Sequence, residues 1–203
     1  MNNTETKFFS TKNIAYLAIL TALLIVLNLL STVFKVITNI NLTLIPIVLG
    51  ALLLGVKGGF ILGLISGLMT FVFGVMGLDE FTNFLFTQHP LLTFLTCTVK
   101  ITAAGVLSGV IYNAIMNKNK YVATFVASAI VPIVNTAIFI LGALTMFDTF
   151  SGLSSSEGVS VMYYLIILCA GVNFLIELAV NLVVAPAIHS VVTVLEKNVF
   201  KSR

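Results

Sequence analysis

The sequence predicts an all-α integral membrane protein with six transmembrane helices, and three observations carry this prediction. Of the 203 residues, 59% are hydrophobic and only 8% are charged, which lies outside the range of soluble globular domains. The apolar runs are continuous over about 20 residues, whereas the strands of a membrane barrel would alternate over about ten. Short polar breaks divide these runs into six. We therefore expect one transmembrane domain over residues 1–203, with short cytoplasmic tails at 1–11 and 196–203.

The six spans follow one another with little intervening chain. The first comes after the polar opening MNNTETKFFSTKN and lacks an Ala-x-Ala-type cleavage site, so we expect it to be retained as a helix. The second is short and leads almost directly into the third. The predicted spans cover residues 12–34, 42–56, 58–77, 91–116, 121–147 and 161–195.

Glycines recur at intervals of four on two of these spans. Gly59, Gly63 and Gly67 lie on the third span, and Gly105 and Gly109 lie on the fourth. Small residues at this spacing let helix backbones approach closely in lipid, where packing drives helix association. The pattern predicts tight helix packing rather than a binding function.

The basic residues indicate the orientation in the membrane. Lys35 falls in a loop on the opposite side from the termini, and Lys100 lies inside a span. The other eight basic residues share the side of both termini: Lys7, Lys12, Lys57, Lys118, Lys120, Lys197, Lys201 and Arg203. Because cytoplasmic loops carry the excess of Lys and Arg, we expect both termini in the cytoplasm.

The loops expected on the outer side are the long ones, at residues 31–41, 78–90 and 148–160. Long loops on one face of a scaffold usually carry recognition. The third contains FDTFSGLSSSEGVS, whose Ser and Gly content is typical of a mobile segment. It is interpreted either as a gate or as a connector without a role.

Lys100 is the most informative residue, because it lies in the middle of the fourth span, in CTVKITAAG. A lysine at the centre of a transmembrane helix costs about 2.5 to 3.5 kcal/mol on the insertion scale, so it normally faces a cavity or a partner. The best partner is Glu177, which lies well inside the sixth span.

Amide side chains accompany this pair on three successive spans. Asn173 and Glu177 are four residues apart and share one helix face with Asn181, while Asn135 lies on the fifth span. The cluster is either a structural one, in which Lys100 and Glu177 neutralise each other, or the floor of a pocket for a small polar molecule. We favour the pocket, with Lys100, Asn135, Asn173 and Glu177 as its floor.

The segment GLDEFTNFLFTQHPLL precedes the fourth span and supplies candidates for the mouth of this pocket. These are Asn83, Phe84, Gln88 and His89. The alternative is that the phenylalanines of this segment belong to the aromatic belt at the membrane interface.

Several classes of function lack their usual signatures. There is no GxxxxGK[ST] phosphate loop and no HExxH or GxSxG motif, so neither nucleotide-driven transport by this chain alone nor an enzyme is indicated. His89 and His189 form no metal constellation. Cys97 and Cys169 lack ligand spacing and are interpreted as packing residues. We expect no cofactor and no metal in this chain.

Three segments of the chain resemble a known family, the substrate-binding S components of energy-coupling factor (ECF) vitamin transporters. They are IPIVLGALLLGVKGGFILGLISGL, FTNFLFTQHPLLTFLTCTVKITAAGVLSGVIYNAI and GVNFLIELAVNLVVAPAI. The likeness extends over residues 14–195. The family's Ala-x-x-x-Ala coupling motif matches Ala18 and Ala22 on the first span, with Ala15 adjacent on the same side.

The resemblance implies a subunit of the bacterial cytoplasmic membrane that captures a water-soluble vitamin in an outward-facing pocket. It implies docking through the first helix onto a transmembrane coupling subunit that carries two ATPase subunits, which would use ATP and Mg. The segments around FTNFLFTQHP and Lys100 look most like the pantothenate branch of the family. Pantothenate carries a carboxylate that Lys100 could balance.

Other interpretations stay open at this point. Riboflavin and folate are alternative vitamins. A structural or assembly membrane protein without a ligand is the rival from another class. An intramembrane enzyme would need an accessible acid–base pair, for which Lys100 and Glu177 are the only candidates in the sequence.

Overall fold

The computed structural model describes residues 10–34 and 41–200, and every regular element in this part of the chain is helical. A π-helical segment, Tyr164–Gly171, connects α8 to α9. The helices are α1 (Thr11–Phe34), α2 (Leu44–Leu53), α3 (Gly55–Val75), α4 (Glu80–Gln88), α5 (Pro90–Ile115), α6 (Lys120–Thr145), α7 (Phe147–Ser156), α8 (Val161–Tyr163) and α9 (Val172–Phe200).

Five stretches of helix are long and apolar enough to cross a membrane. They are α1, α3, α5, α6 and the continuous run Val161–Leu195 through the π-helical segment. The second predicted span corresponds to α2, whose ten residues rise only about 15 Å, half the hydrocarbon thickness. The predicted count of six spans is therefore not confirmed, and the cytoplasmic location of the termini stays a prediction.

The short helix α2 is apolar because it is enclosed by protein. Leu44, Ile47, Val48 and Ala51 are fully buried and belong to one core cluster with residues of α1, α3, α5, α6 and α9. A helix that is hydrophobic on all sides is a buried one, inside a protein or a membrane, and periodicity alone does not separate these two cases.

The predicted glycine packing is confirmed between α3 and α5. A Cβ atom on Gly59 would collide with the carbonyl oxygen of Gly105, and the reverse substitution would collide with Gly59. A Cβ on Gly63 would lie 2.8 Å from the carbonyl oxygen of Ile101. The two helices are thus antiparallel and in direct backbone contact, which holds α5 rigidly in place.

Two segments predicted as loops contain helices, which corrects the prediction for residues 78–90 and 148–160. Helix α4 begins where the Asp79 side chain accepts a hydrogen bond from the backbone N–H of Thr82, at 3.3 Å, a standard N-cap. Helix α7 buries Phe150 and Ser154, which lie one turn apart. In the first predicted loop, at 31–41, residues 35–40 lie outside the described residues.

Candidate functional site

A cavity of about 330 Å³ lies between α1, α3, α5, α6, α9 and the π-helical segment. Its wall contains aromatic rings as well as amide, hydroxyl and charged groups. The lining residues are Asn28, Ser31, Asn41, Thr70, Phe73, Asp79, Phe81, Thr82, Lys100, Asn135, Thr136, Phe139, Tyr164, Leu168, Cys169, Ala170, Asn173, Phe174 and Glu177.

The structure brings the four predicted floor residues together in this cavity. Lys100 comes from α5, Asn135 from α6, and Asn173 and Glu177 from α9. Ile101, next to Lys100, is fully buried against α3, so the helix turns Lys100 away from that interface and toward α6. Asn135 and Glu177 are each only 6% exposed, whereas Lys100 is half-buried.

Glu177 accepts hydrogen bonds from neutral groups and is also attracted by the positive charge of Lys100. One carboxylate oxygen, Oε1, accepts a hydrogen bond from the backbone N–H of Asn41 at 3.2 Å. The Asn135 side chain is a second hydrogen-bonding neighbour of this carboxylate. Hydrogen bonds from neutral donors stabilise a carboxylate without using a cation. Two hydrogen bonds and the attraction of Lys100 therefore act together on this buried carboxylate.

Lys100 and Glu177 do not form an ion pair within 4.0 Å in the described part of the chain. They attract each other across the cavity, and the Lys100 ammonium lies 5.3 Å from the centre of the Phe139 ring. Such a cation–π contact is weaker than a charge-assisted hydrogen bond. The ammonium donors of Lys100 are therefore available to an anion that enters the cavity.

The other amides of α9 stabilise its own backbone. Asn173 donates to the carbonyl oxygen of Cys169 at 3.3 Å, and Asn181 donates to that of Glu177 at 2.9 Å. Asn181 is buried and does not line the cavity. Asn173 is thus the α9 amide that reaches the cavity.

The four predicted mouth residues do not line the cavity. Asn83 donates to the carbonyl oxygen of Gly74 at 2.8 Å, and the ring of His89 lies 2.9 Å from the Thr149 hydroxyl. Phe84 and Gln88 are exposed. Because the segment is helical, only one of its faces meets the cavity. Their role in binding stays a prediction.

The residues that do line the cavity from this segment are Asp79, Phe81 and Thr82. Sequence reasoning missed them, and it also missed Thr136 and Phe139 on α6. The helical period could have found the latter two, because Phe139 lies four residues after Asn135 and three residues after Thr136. Asn28 and Ser31 on α1 follow the same spacing rule.

Both cysteines pack against other residues as predicted, and Cys169, which packs against the core cluster of Phe150 and Leu165, also reaches the cavity. Cys97 is buried, whereas Cys169 is half-buried and lines the cavity. Among the residues that the structure describes, no three His, Cys, Asp or Glu side chains are grouped as a metal site would require.

The predicted coupling residues lie on the outside of the helix bundle. Ala15, Ala18 and Ala22 are exposed along one face of α1. The opposite face is buried through Leu20 and Leu24. The structure thus leaves the alanine face uncovered, and its coupling role stays a prediction.

Comparison with known proteins identifies a family for most of the chain. A sequence model of the family described as ECF transporter, substrate-specific component, matches residues 12–189. No curated protein and no solved structure matches the chain.

Proposed function

Because the chain belongs to the family of ECF transporter substrate-specific components, we propose that it captures a small water-soluble vitamin with a carboxylate group, and that this vitamin is pantothenate. Members of this family are multi-pass membrane proteins and transport subunits rather than enzymes. Family membership also implies a small-molecule substrate and ECF transporter subunits as partners.

The observation that carries the carboxylate is the separation of Lys100 from Glu177. If the two side chains served only to neutralise each other, a direct ion pair would be the stable arrangement in a low-dielectric site. Instead Glu177 accepts hydrogen bonds from Asn41 and Asn135, and the Lys100 ammonium is left beside Phe139. A ligand carboxylate would give this ammonium the charge-assisted partner that the protein does not provide.

The size of the cavity supports pantothenate over the larger alternatives. Small-molecule sites have volumes of about 300 to 1,000 Å³, and the cavity of about 330 Å³ lies at the lower end. Riboflavin is larger than pantothenate and has no carboxylate. Folate has carboxylates but is larger still. Riboflavin and folate remain the alternatives that the binding experiment compares.

The proposed orientation has both termini in the cytoplasm and the cavity open to the outside. The described lysines other than Lys100 lie at the end of the bundle away from the cavity, since α3 and α5 are antiparallel, and α6 and α9 meet through Thr124 and His189 at this end. These lysines are Lys12, Lys57, Lys118, Lys120 and Lys197. Positive charge on the cytoplasmic side supports this orientation in the bacterial cytoplasmic membrane.

We further propose that the alanine face of α1 docks on the transmembrane coupling subunit. Small exposed side chains allow another helix to approach the α1 backbone closely. The coupling subunit would carry two ATPase subunits that use ATP and Mg, so this chain would need no cofactor of its own. A structural protein without a ligand would need neither the coupling subunit nor the ATPase subunits.

Thermal unfolding of the detergent-purified chain with six separate vitamins tests the proposal. The vitamins are pantothenate, riboflavin, folate, thiamine, biotin and pyridoxine. A ligand that binds only the folded state raises the midpoint in proportion to the logarithm of its concentration over Kd. We expect a shift with pantothenate. A shift with another vitamin alone would replace the substrate, and no shift with any would favour the structural role.

A further inference from the structure

The π-helical segment Tyr164–Gly171 forms one wall of the cavity. Four of its eight residues, Tyr164, Leu168, Cys169 and Ala170, line the cavity. π-Helical turns are rare, usually a single turn long, and frequent at functional sites. The wider π-helical turn changes which side chains of this segment lie next to each other.

The wider turn brings together two side chains that an α-helix would separate. Neighbours on an α-helix are three or four residues apart, whereas the π-helical hydrogen bond joins residues five apart. Tyr164 and Cys169 are five residues apart, and the Tyr164 hydroxyl and the Cys169 thiol lie close enough to interact electrostatically. This contact depends directly on the π-helical geometry.

Both members of the pair also contact neighbouring residues of the protein. The ring of Tyr164 packs against the fully buried Phe150 of α7, with the ring centres 6.5 Å apart. The backbone carbonyl of Cys169 accepts the hydrogen bond from Asn173. The Tyr164 hydroxyl is thus placed in advance of binding, which reduces the entropy lost when it contacts a ligand.

We infer that Tyr164 is a specificity-determining residue, whose hydroxyl hydrogen-bonds a neutral polar group of the captured molecule, either a hydroxyl or an amide. This inference rests on the proposed function. A thiol is only a weak hydrogen-bond partner, so the Tyr164 hydroxyl keeps the capacity for a stronger one. The substrate then has a carboxylate for Lys100 and a separate neutral group for Tyr164, and pantothenate has both.

The first test removes the hydroxyl and keeps the ring. Tyr164→Phe should weaken pantothenate binding about 5- to 100-fold in titration calorimetry, because a buried polar group of the ligand loses its partner. The unfolding midpoint without ligand should stay unchanged. Tyr163→Phe is the matched control, since Tyr163 is exposed and does not line the cavity.

Pantothenate analogues that lack one hydroxyl or the amide N–H identify the group that is recognised. One analogue should bind the wild type more weakly and show no further loss with Tyr164→Phe, because the interaction is then already absent. Equal pantothenate affinity of Tyr164→Phe and wild type would overturn the inference.

The second test examines the geometry without any ligand. In a Cys97→Ala background, Tyr164→Cys should form a disulfide with Cys169 under mild oxidation, because π-helical turns stack residues five apart. A disulfide needs Cα atoms within about 7 Å and Cβ atoms that point toward each other. Tyr163→Cys, six residues from Cys169, should form none. No disulfide with Tyr164→Cys would overturn the inference.

The outcomes separate this inference from the proposed function. If no vitamin binds the wild type, the proposed function is wrong whether or not the disulfide forms. If another vitamin of the panel binds instead, only the choice of pantothenate is wrong, and Tyr164→Phe is measured with that vitamin. If pantothenate binds and Tyr164→Phe leaves its affinity unchanged, the inference alone is wrong.

Discussion

The two sides of α5 differ in how closely they are packed and in the polarity of their side chains. Toward α3, the helix presents Gly105 and Ile101, and the backbones meet without intervening side chains. Toward α6 and α9, one residue away from Ile101, it presents Lys100 to a cavity of about 330 Å³. One helix is therefore both part of the rigid scaffold and part of the site.

The difference shows how a small membrane protein can hold a polar cavity open. Helices in lipid associate through close packing, because lipid tails are as apolar as the side chains. The glycine contacts provide this packing on one side of α5, so the other side need not be packed. Substitutions on the α3 side should therefore change stability, and those on the cavity side should change binding.

The largest effect is expected for Gly59→Leu, which tests the scaffold side. The new side chain would collide with the Gly105 backbone. To relieve this collision, α3 and α5 would have to move apart, which would break the other close backbone contacts between the two helices. We expect a loss of more than about 4 kcal/mol of stability, seen as loss of monodisperse protein in detergent. A folded Gly59→Leu variant with a normal unfolding midpoint would contradict the described α3–α5 contact.

A second large effect is expected for Phe150→Ala, in α7 next to the cavity. Phe150 is fully buried and packs against Phe81 and Tyr164, so its removal leaves a cavity that costs about 3 to 5 kcal/mol. Thermal unfolding measures this loss. Phe147→Ala is the control, because Phe147 is 53% exposed and should lose much less. Equal losses for the two variants would contradict the role of α7 in the fold.

Lys100→Met tests the cavity side directly. It should weaken pantothenate binding about 10- to 150-fold, the value of a hydrogen bond to a charged group. Stability without ligand should fall by less than binding does, because Glu177 loses the attraction of the half-buried Lys100 but keeps its hydrogen bonds from Asn41 and Asn135. Lys118→Met, in the exposed turn after α5, is the control. A destabilised Lys100→Met variant with normal binding would indicate a structural role for Lys100.

The smallest effect on the isolated protein is expected for Ala22→Trp. Ala22 is exposed, so stability and vitamin binding should stay within about 0.5 kcal/mol of wild type. Uptake by the reconstituted transporter should fall, because the indole would block close approach of the coupling subunit. Leu23→Trp, which lies on a different exposed face of α1, should leave uptake intact. Loss of vitamin binding by Ala22→Trp would contradict the separation of docking from capture.

The helical period of the sequence was sufficient to predict the glycine contacts. It was also sufficient to predict that Lys100, Asn135, Asn173 and Glu177 lie together. It did not identify Asp79, Phe81 and Thr82 as cavity residues, because the segment around Phe84 was interpreted as a loop and its helical faces were not separated. The Tyr164–Cys169 contact had no signal at all, since residues five apart are not neighbours in the α-helix that the pattern predicts.

The sequence by itself determined the membrane class, the long helices and the placement of small and polar residues along them, because hydropathy and spacing are properties of one chain segment at a time. The tertiary structure decided the rest. It placed α2 inside the protein rather than as a confirmed span, and it left Lys100 and Glu177 unpaired across a cavity. Those features depend on the rotation of each helix about its axis and on its neighbours, which only the packing of the whole chain sets.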